Sequence, residues 1–304
     1  MNELASRTAS TDGSDAGRAE AWRTYQPGFR FSQAPVGSRE FYRQVEDHRY
    51  SLEPHILDFA RFADWSGRDV LEAGCGIGTD ASQFAKAGAR YTGIDFSSTA
   101  VDLARRRFEL EGLRGEFVPG SITSMPFEDQ SFDLVYSYGV IHHLPEPEAA
   151  VHEFRRVLRP GGVAKVMVYH RNSLNYWFTI LVVKRALSPL ALFPRLAMAI
   201  SREPRDVIEG QRELLRRHGF SYLRDRQMFL SRNTDGPQNP ISHVYSRAAA
   251  EAMFSGFARV DLAIRYLNLR SYPGGQRMAA SSLGRKLETR YGWHLLTEAQ
   301  LPSG

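Results

Sequence analysis

Apolar and polar positions along the middle of the chain follow two alternating rhythms. Short apolar runs stand at Asp69–Glu72, Arg90–Ile94, Glu116–Val118, Asp133–Ser137 and Val163–Tyr169, and each reads as a strand. Between them lie stretches with helical spacing: Asp80–Ala87, Thr99–Glu111 with Val101, Ala104 and Phe108 on one face, and Pro147–Leu158, which Pro160-Gly161-Gly162 stops. Strands separated by single helices predict an α/β fold: a doubly wound, mostly parallel sheet covered on both faces.

The flanks follow other rules. Residues 1–20 are rich in Ser, Thr, Ala, Gly and Asp with few apolar residues, which predicts a disordered tail. Residues 21–66 bring aromatics and prolines (Trp22, Tyr25, Pro27, Phe29, Phe31, Pro35) and then helices over Arg39–Asp47 and Leu52–Ala63, the second with Ile56, Phe59, Ala60 and Ala63 on one face. Beyond Tyr169 the alternation stops. Asn175–Ser201 is almost continuously apolar, but Lys184-Arg185, Pro189 and Pro194 interrupt it, so it falls short of the roughly 20 apolar residues of a membrane span. It predicts two short helices in a cap inserted after strand five. A polar helix (Asp206–His218), a turn-rich loop (Asn233–Pro240), a helix (Arg247–Ser255), a strand (Arg259–Arg265) and a last, antiparallel strand (Tyr291–Ala299) bring the sheet to seven strands. The expected plan is a tail (1–20), a helical segment over the site (21–66), a core (67–170), a helical cap or substrate lid (171–245) and a return to the core (246–304). No internal repeat is visible.

One stretch concentrates chemistry. In Val70-Leu71-Glu72-Ala73-Gly74-Cys75-Gly76-Ile77-Gly78-Thr79-Asp80, an apolar run ends at an acid, and glycine then fills every second position before a helix begins. Glycines let a ligand approach the backbone, and the N–H groups at a helix start favour an anionic group. The acid suits an ammonium or hydroxyl on the same ligand. A dinucleotide fingerprint needs a third glycine where Thr79 stands, and Glu72 would sit poorly beside a pyrophosphate, so a NAD(P)-dependent enzyme is disfavoured.

Glu72–Gly78 resembles the first motif of class I S-adenosylmethionine-dependent methyltransferases. The likeness extends through Tyr91–Ser97, Met125-Pro126-Phe127 with Ser131–Val135, Tyr138–Leu144 and Arg156–Gly162, in register from about Arg68 to His170. The resemblance implies a Rossmann-like core that binds S-adenosyl-L-methionine. Glu72, Gly74, Cys75, Gly76 and Gly78 would hold the methionine portion, Asp95 the ribose, Phe96 and Ile122 the adenine, with Ser137 and Tyr138 near the methionine end. Ser121 departs from relatives that place an acid against the adenine amino group; a hydroxyl accepts only a neutral hydrogen bond there, which implies looser binding. Phe41–Tyr50 resembles the entry helix of some members. That implies Arg49 on the methionine carboxylate with Tyr42 or Tyr50 beside it; Arg49 as a plain surface residue is the equal alternative.

Methyl transfer from a sulfonium is an in-line displacement that often requires removal of one proton. His142, His143 and His170 stand where strands four and five end, so they are the candidate bases; structural roles are the alternative. Tyr42, Trp177, His243 and Tyr245 are the candidate acceptor contacts. No carboxylate–histidine ligand cluster is visible, so no metal is expected, and Cys75, the single cysteine, allows neither an intramolecular disulfide nor a cysteine zinc cluster.

Charge narrows the acceptor. Residues 1–150 hold 15 Lys and Arg against 23 Asp and Glu, whereas the remainder holds 24 against 11. A basic second half favours an anionic or amphiphilic small molecule, while arginines scattered without aromatic interleaving argue against nucleic acid. The expectation is O-methylation of a hydroxyl or carboxyl on a specialised metabolite. The alternatives are N- or C-methylation of a metabolite or peptide, and a scaffold that binds the cofactor without chemistry. With no leader visible the chain is expected in the cytoplasm, as monomer or homodimer, without a transmembrane span and with peripheral membrane contact left open.

Overall fold

The computed structural model describes residues 29–201, 203–269 and 272–304. The tail expected over 1–20, and Trp22, Tyr25 and Pro27 after it, lie outside the described residues. The chain divides into two compact units, and the larger holds Gln26–Asn175 with Val244–Gly304.

The larger unit opens with α1 (Arg39–Leu52), whose start is set by Ser38: its side chain accepts the Phe41 N–H at 3.2 Å. Phe41, Tyr42 and Val45 turn inward and pack with Ile77 of the glycine turn. After α2 (His55–Ala60) come β1 (Asp69–Ala73), α3 (Thr79–Lys86), β2 (Arg90–Asp95), α4 (Ser98–Glu111), β3 (Glu116–Pro119), β4 (Phe132–Tyr138), α5 (Pro147–Val157) and β5 (Leu158–Tyr169). The expected alternation is met. β5 starts earlier than its apolar run, because Phe132 pairs with Leu158 ahead of a register shift and the regular ladder from Val163.

The smaller unit holds Tyr176–His243. Its apolar stretch is not two plain helices. A π-helical segment (Asn175–Lys184) passes through single turns into α6 (Pro194–Ser201), and Pro189 and Pro194 stand where helical turns begin, positions at which a missing N–H costs nothing. Then come α7 (Arg205–His218) and α8 (Arg226–Thr234), joined by a buried network in which Tyr222 donates to Gln211 at 2.7 Å and Asn233 donates to Tyr222 at 2.8 Å.

Back in the larger unit lie α9 (Arg247–Met253), β6 (Arg259–Arg265), α10 (Gly275–Ala280), α11 (Ser282–Tyr291) and β7 (His294–Gln300). Sequence reading missed α10 and α11. Their separating signal is one serine: the Ser281 hydroxyl accepts the Gly284 N–H at 3.0 Å and starts α11.

The sheet has seven strands in the order β3-β2-β1-β4-β5-β7-β6, parallel except for β7, which runs antiparallel to both its neighbours. The chain winds outward from β1 through β2 to β3, then returns to the other side of β1 as β4. Between β1 and β4 the order reverses, and ligands of open α/β sheets bind at the carboxyl ends of strands at such a point. Leu71, Val135, Ala164, Leu295 and Phe154 are fully buried in one cluster spanning the central strands. At about 2 kcal/mol for each large side chain removed from water, this core holds the strand ends in place.

Candidate active site

At the end of β1 the backbone passes from Glu72 into the glycine turn. Gly74, Gly76 and Gly78 have φ of 86°, 52° and 80°, the left-handed region that disfavours a side chain. A Cβ on Gly74 would also overlap Val140, whereas one on Gly76 would meet nothing within 4 Å. The turn is therefore open at its middle and closed at its base. Gly76 N–H and Ser97 N–H each donate to one oxygen of Asp95, both at 2.8 Å, so the carboxylate at the end of β2 is held against the turn. Burial pushes the Asp95 carboxyl up and the two N–H groups pull it back.

Glu72 lies between Gly93 and Tyr136 in the sheet and accepts the Tyr91 hydroxyl at 2.7 Å. Its carboxyl is raised well above the usual range, first by burial and then by the charge of Asp80. Asp80, in the first turn of α3 and only 2% exposed, receives four donors: Arg49 Nε at 2.9 Å, Arg49 Nη2 at 2.6 Å, Tyr50 Oη at 2.9 Å and Tyr136 Oη at 3.1 Å. Two buried acids thus face one guanidinium. Arg49, expected on a ligand carboxylate or at the surface, is bound to Asp80.

The other expected cofactor residues are placed as follows. The Ser137 hydroxyl donates to the Ala73 carbonyl at 2.9 Å, tying β4 to β1. Ser121 Oγ pairs with Thr123 Oγ1 at 2.8 Å. Ile122 is buried and Phe96 is exposed. Cys75 is buried as a free thiol whose pKa burial drives well up.

The histidines differ from one another. His142 is fully buried with its ring 3.9 Å from that of Tyr169 and 4.2 Å from that of His143. His170 points Nδ1 at the Gly292 carbonyl, 3.0 Å away, which requires the proton on Nδ1 and leaves Nε2 as the lone-pair nitrogen. Burial lowers its pKa. Tyr245, whose backbone bridges to His170, is buried, and burial raises its hydroxyl pKa. Tyr42 gives its hydroxyl to the Leu103 carbonyl at 2.7 Å and packs under Arg107, which makes it a packing residue of α1 against α4. Trp177 and His243 belong to the smaller unit, where the Trp177 ring is half exposed with the Arg226 guanidinium 4.8 Å from its centre.

Sequence reading missed a second polar cluster. Tyr138 Oη lies 2.8 Å from His55 Nε2 and 2.9 Å from His294 Nδ1, and the two ring nitrogens are 3.0 Å apart. Glu53 offers a carboxylate oxygen within 4.8 Å of a ring nitrogen of each histidine. These residues come from positions 53–55, 138 and 294, so no local spacing betrays them. β7 brings His294 beside Tyr169 at the carboxyl end of β5.

Residues 71–166 match the family described as Methyltransferase domain. The chain is 41% identical over 119 residues to a fatty-acid O-methyltransferase of Mycolicibacterium smegmatis, covering 38% of this chain and 42% of the relative. It is 42% identical over 142 residues to a sterol 24-C-methyltransferase of Gibberella zeae, covering 46% of this chain and 36% of the relative. The match therefore spans less than half the length of these two relatives. Among solved structures, a SAM-dependent methyltransferase of Methanosarcina mazei superimposes with a TM-score of 0.51 at 18% identity, over 81% of this chain and 99% of that one, which is a likeness of fold. Among the described residues no helix is long and apolar enough to cross a membrane.

Proposed function

We propose, from the premise that residues 71–166 belong to the methyltransferase domain family, that this chain is a methyltransferase using S-adenosyl-L-methionine. Its acceptor oxygen belongs to a hydroxyl or carboxyl of a small amphiphilic or anionic molecule. The observation that carries the reading is the pairing of two acids around an open glycine turn, with Glu72 at the end of β1 and Asp95 held by Gly76 N–H at the end of β2.

The residues fit the cofactor. Each Asp95 oxygen accepts one backbone N–H and retains a second lone pair for a hydroxyl donor, the requirement of a ribose diol. Glu72 and Asp80 are two buried acids and the Arg49 guanidinium pairs with Asp80, so a further positive group is electrostatically favoured beside Glu72. Gly76 leaves space against the backbone. When bound, the cofactor supplies a methyl group on a sulfonium. Glu72 would hold its ammonium, Asp95 its ribose, and Phe96 and Ile122 its base.

On the acceptor side the requirement depends on the nucleophile. A carboxylate arrives without a proton to lose, so the chain need only orient it and exclude water. A hydroxyl needs a base; among His142, His143 and His170, the last has its tautomer set by Gly292, with Nε2 able to accept. Relatives named for fatty-acid and sterol acceptors support an apolar portion on the acceptor.

Calorimetric titration with S-adenosylmethionine, followed by transfer of labelled methyl to a panel of long-chain carboxylic acids and hydroxylated lipids, tests the proposal. Saturable binding with label in an ester or ether supports it. Absence of binding overturns it, and binding without transfer to any member favours the scaffold alternative.

A further inference from the structure

The ring nitrogens of His55 and His294 and the hydroxyl of Tyr138 converge on one point of the larger unit. The three separations measure 2.8, 2.9 and 3.0 Å, all within hydrogen-bond range.

The cluster is also buried. His55 and His294 are 9% and 3% exposed, and Tyr138 is similarly enclosed, so the trio is largely shielded from water. A carboxylate stands beside it: one Glu53 oxygen lies within 4.8 Å of a ring nitrogen of each histidine.

We propose that Glu53, His55 and His294, with the Tyr138 oxygen beside them, form a binding site for a divalent transition metal ion of the zinc type. Two nitrogens each about 2.1 Å from one ion stand roughly 3.0–3.4 Å apart across octahedral to tetrahedral geometries, and the observed separation lies at the short end of that range. Two imidazoles and a carboxylate form a donor set that zinc and its neighbours favour over magnesium or calcium. The nearby cations oppose a metal. Arg49 is matched by Asp80, while Arg265 also faces His55, so the Glu53 carboxylate supplies the compensating charge. The site stands on this cluster alone and does not depend on the methyl-transfer reading.

The test uses the full-length chain, stripped with a chelator, reloaded with zinc chloride and desalted, with metal measured by mass spectrometry. About one zinc per chain is expected, with visible d–d absorption when cobalt(II) replaces zinc. His55→Gln and His294→Asn should each weaken zinc binding at least about tenfold, with thermal melting of the metal-free proteins checking that both variants fold. His218→Ala, in the smaller unit, should retain the metal. Zinc should also raise the melting temperature of the wild-type chain. Wild-type protein that emerges without zinc overturns the proposal, as does equal retention by folded His55→Gln and His294→Asn variants. S-adenosylmethionine calorimetry on the same samples reports separately on the other site.

Discussion

Arg49 grips Asp80 with two nitrogens on two oxygens, at 2.9 and 2.6 Å, across 31 positions of sequence. Through this pair α1 is latched onto the first turn of α3, immediately after the glycine turn. Bidentate geometry and burial make it unlike the exposed helix pairs such as Arg43 with Asp47.

Arg49→Met therefore leaves a buried aspartate with only two tyrosine hydroxyls. It should lower the unfolding free energy by about 3 kcal/mol, measured by urea titration, and Asp80→Asn added to it should restore part of the loss. Arg43→Met should change stability by well under about 1 kcal/mol.

Asp95→Asn keeps the shape but removes the charge at the end of β2 and one of the two acceptors for backbone N–H. S-adenosylmethionine affinity should fall about tenfold or more, because hydrogen bonds to a charged group contribute roughly 1.5–3 kcal/mol. Calorimetry on the folded variant measures it. Gly74→Ala, at φ 86° and against Val140, should cost more than about 1 kcal/mol of stability.

Glu72 has its pKa raised by burial and by Asp80, so it holds a proton over a pH range where an exposed glutamate would be ionised. A cationic ligand group favours the ionised form, so binding should release a proton, and affinity should rise as pH climbs toward the raised pKa. Titrations in two buffers of different ionisation enthalpy would show the release, and Glu72→Gln should abolish it. The same raised pKa has the opposite sign for the free protein: its contribution to stability is present at low pH and is lost as pH rises through the folded value.

In the metal-free chain burial pushes His55 and His294 down to about 3 from the ordinary 6.5, so the unfolded chain binds more protons between those values. Their effect is to stabilise the fold above pH 6.5 and to withdraw that stability as pH falls toward 3, at up to about 1.4 kcal/mol per pH unit for each. His294→Asn should flatten the acid limb of stability against pH in chemical denaturation. An unchanged limb would contradict the buried, neutral state of the ring.

By itself the sequence determined the alternating sheet, its seven strands and the acid–glycine–acid arrangement at the ends of β1 and β2. These are local: strand periodicity, helix spacing and a glycine turn are each written within about a dozen consecutive residues. Only tertiary structure decided which side chains meet. Arg49 stands on Asp80 because α1 folds back over α3, Tyr42 is consumed in packing against α4, and the Glu53, His55, Tyr138 and His294 cluster exists because an antiparallel β7 places residue 294 beside the end of β5. Hydrogen bonds between residues far apart in sequence depend on the register of the whole sheet, and no stretch of the chain carries that register alone.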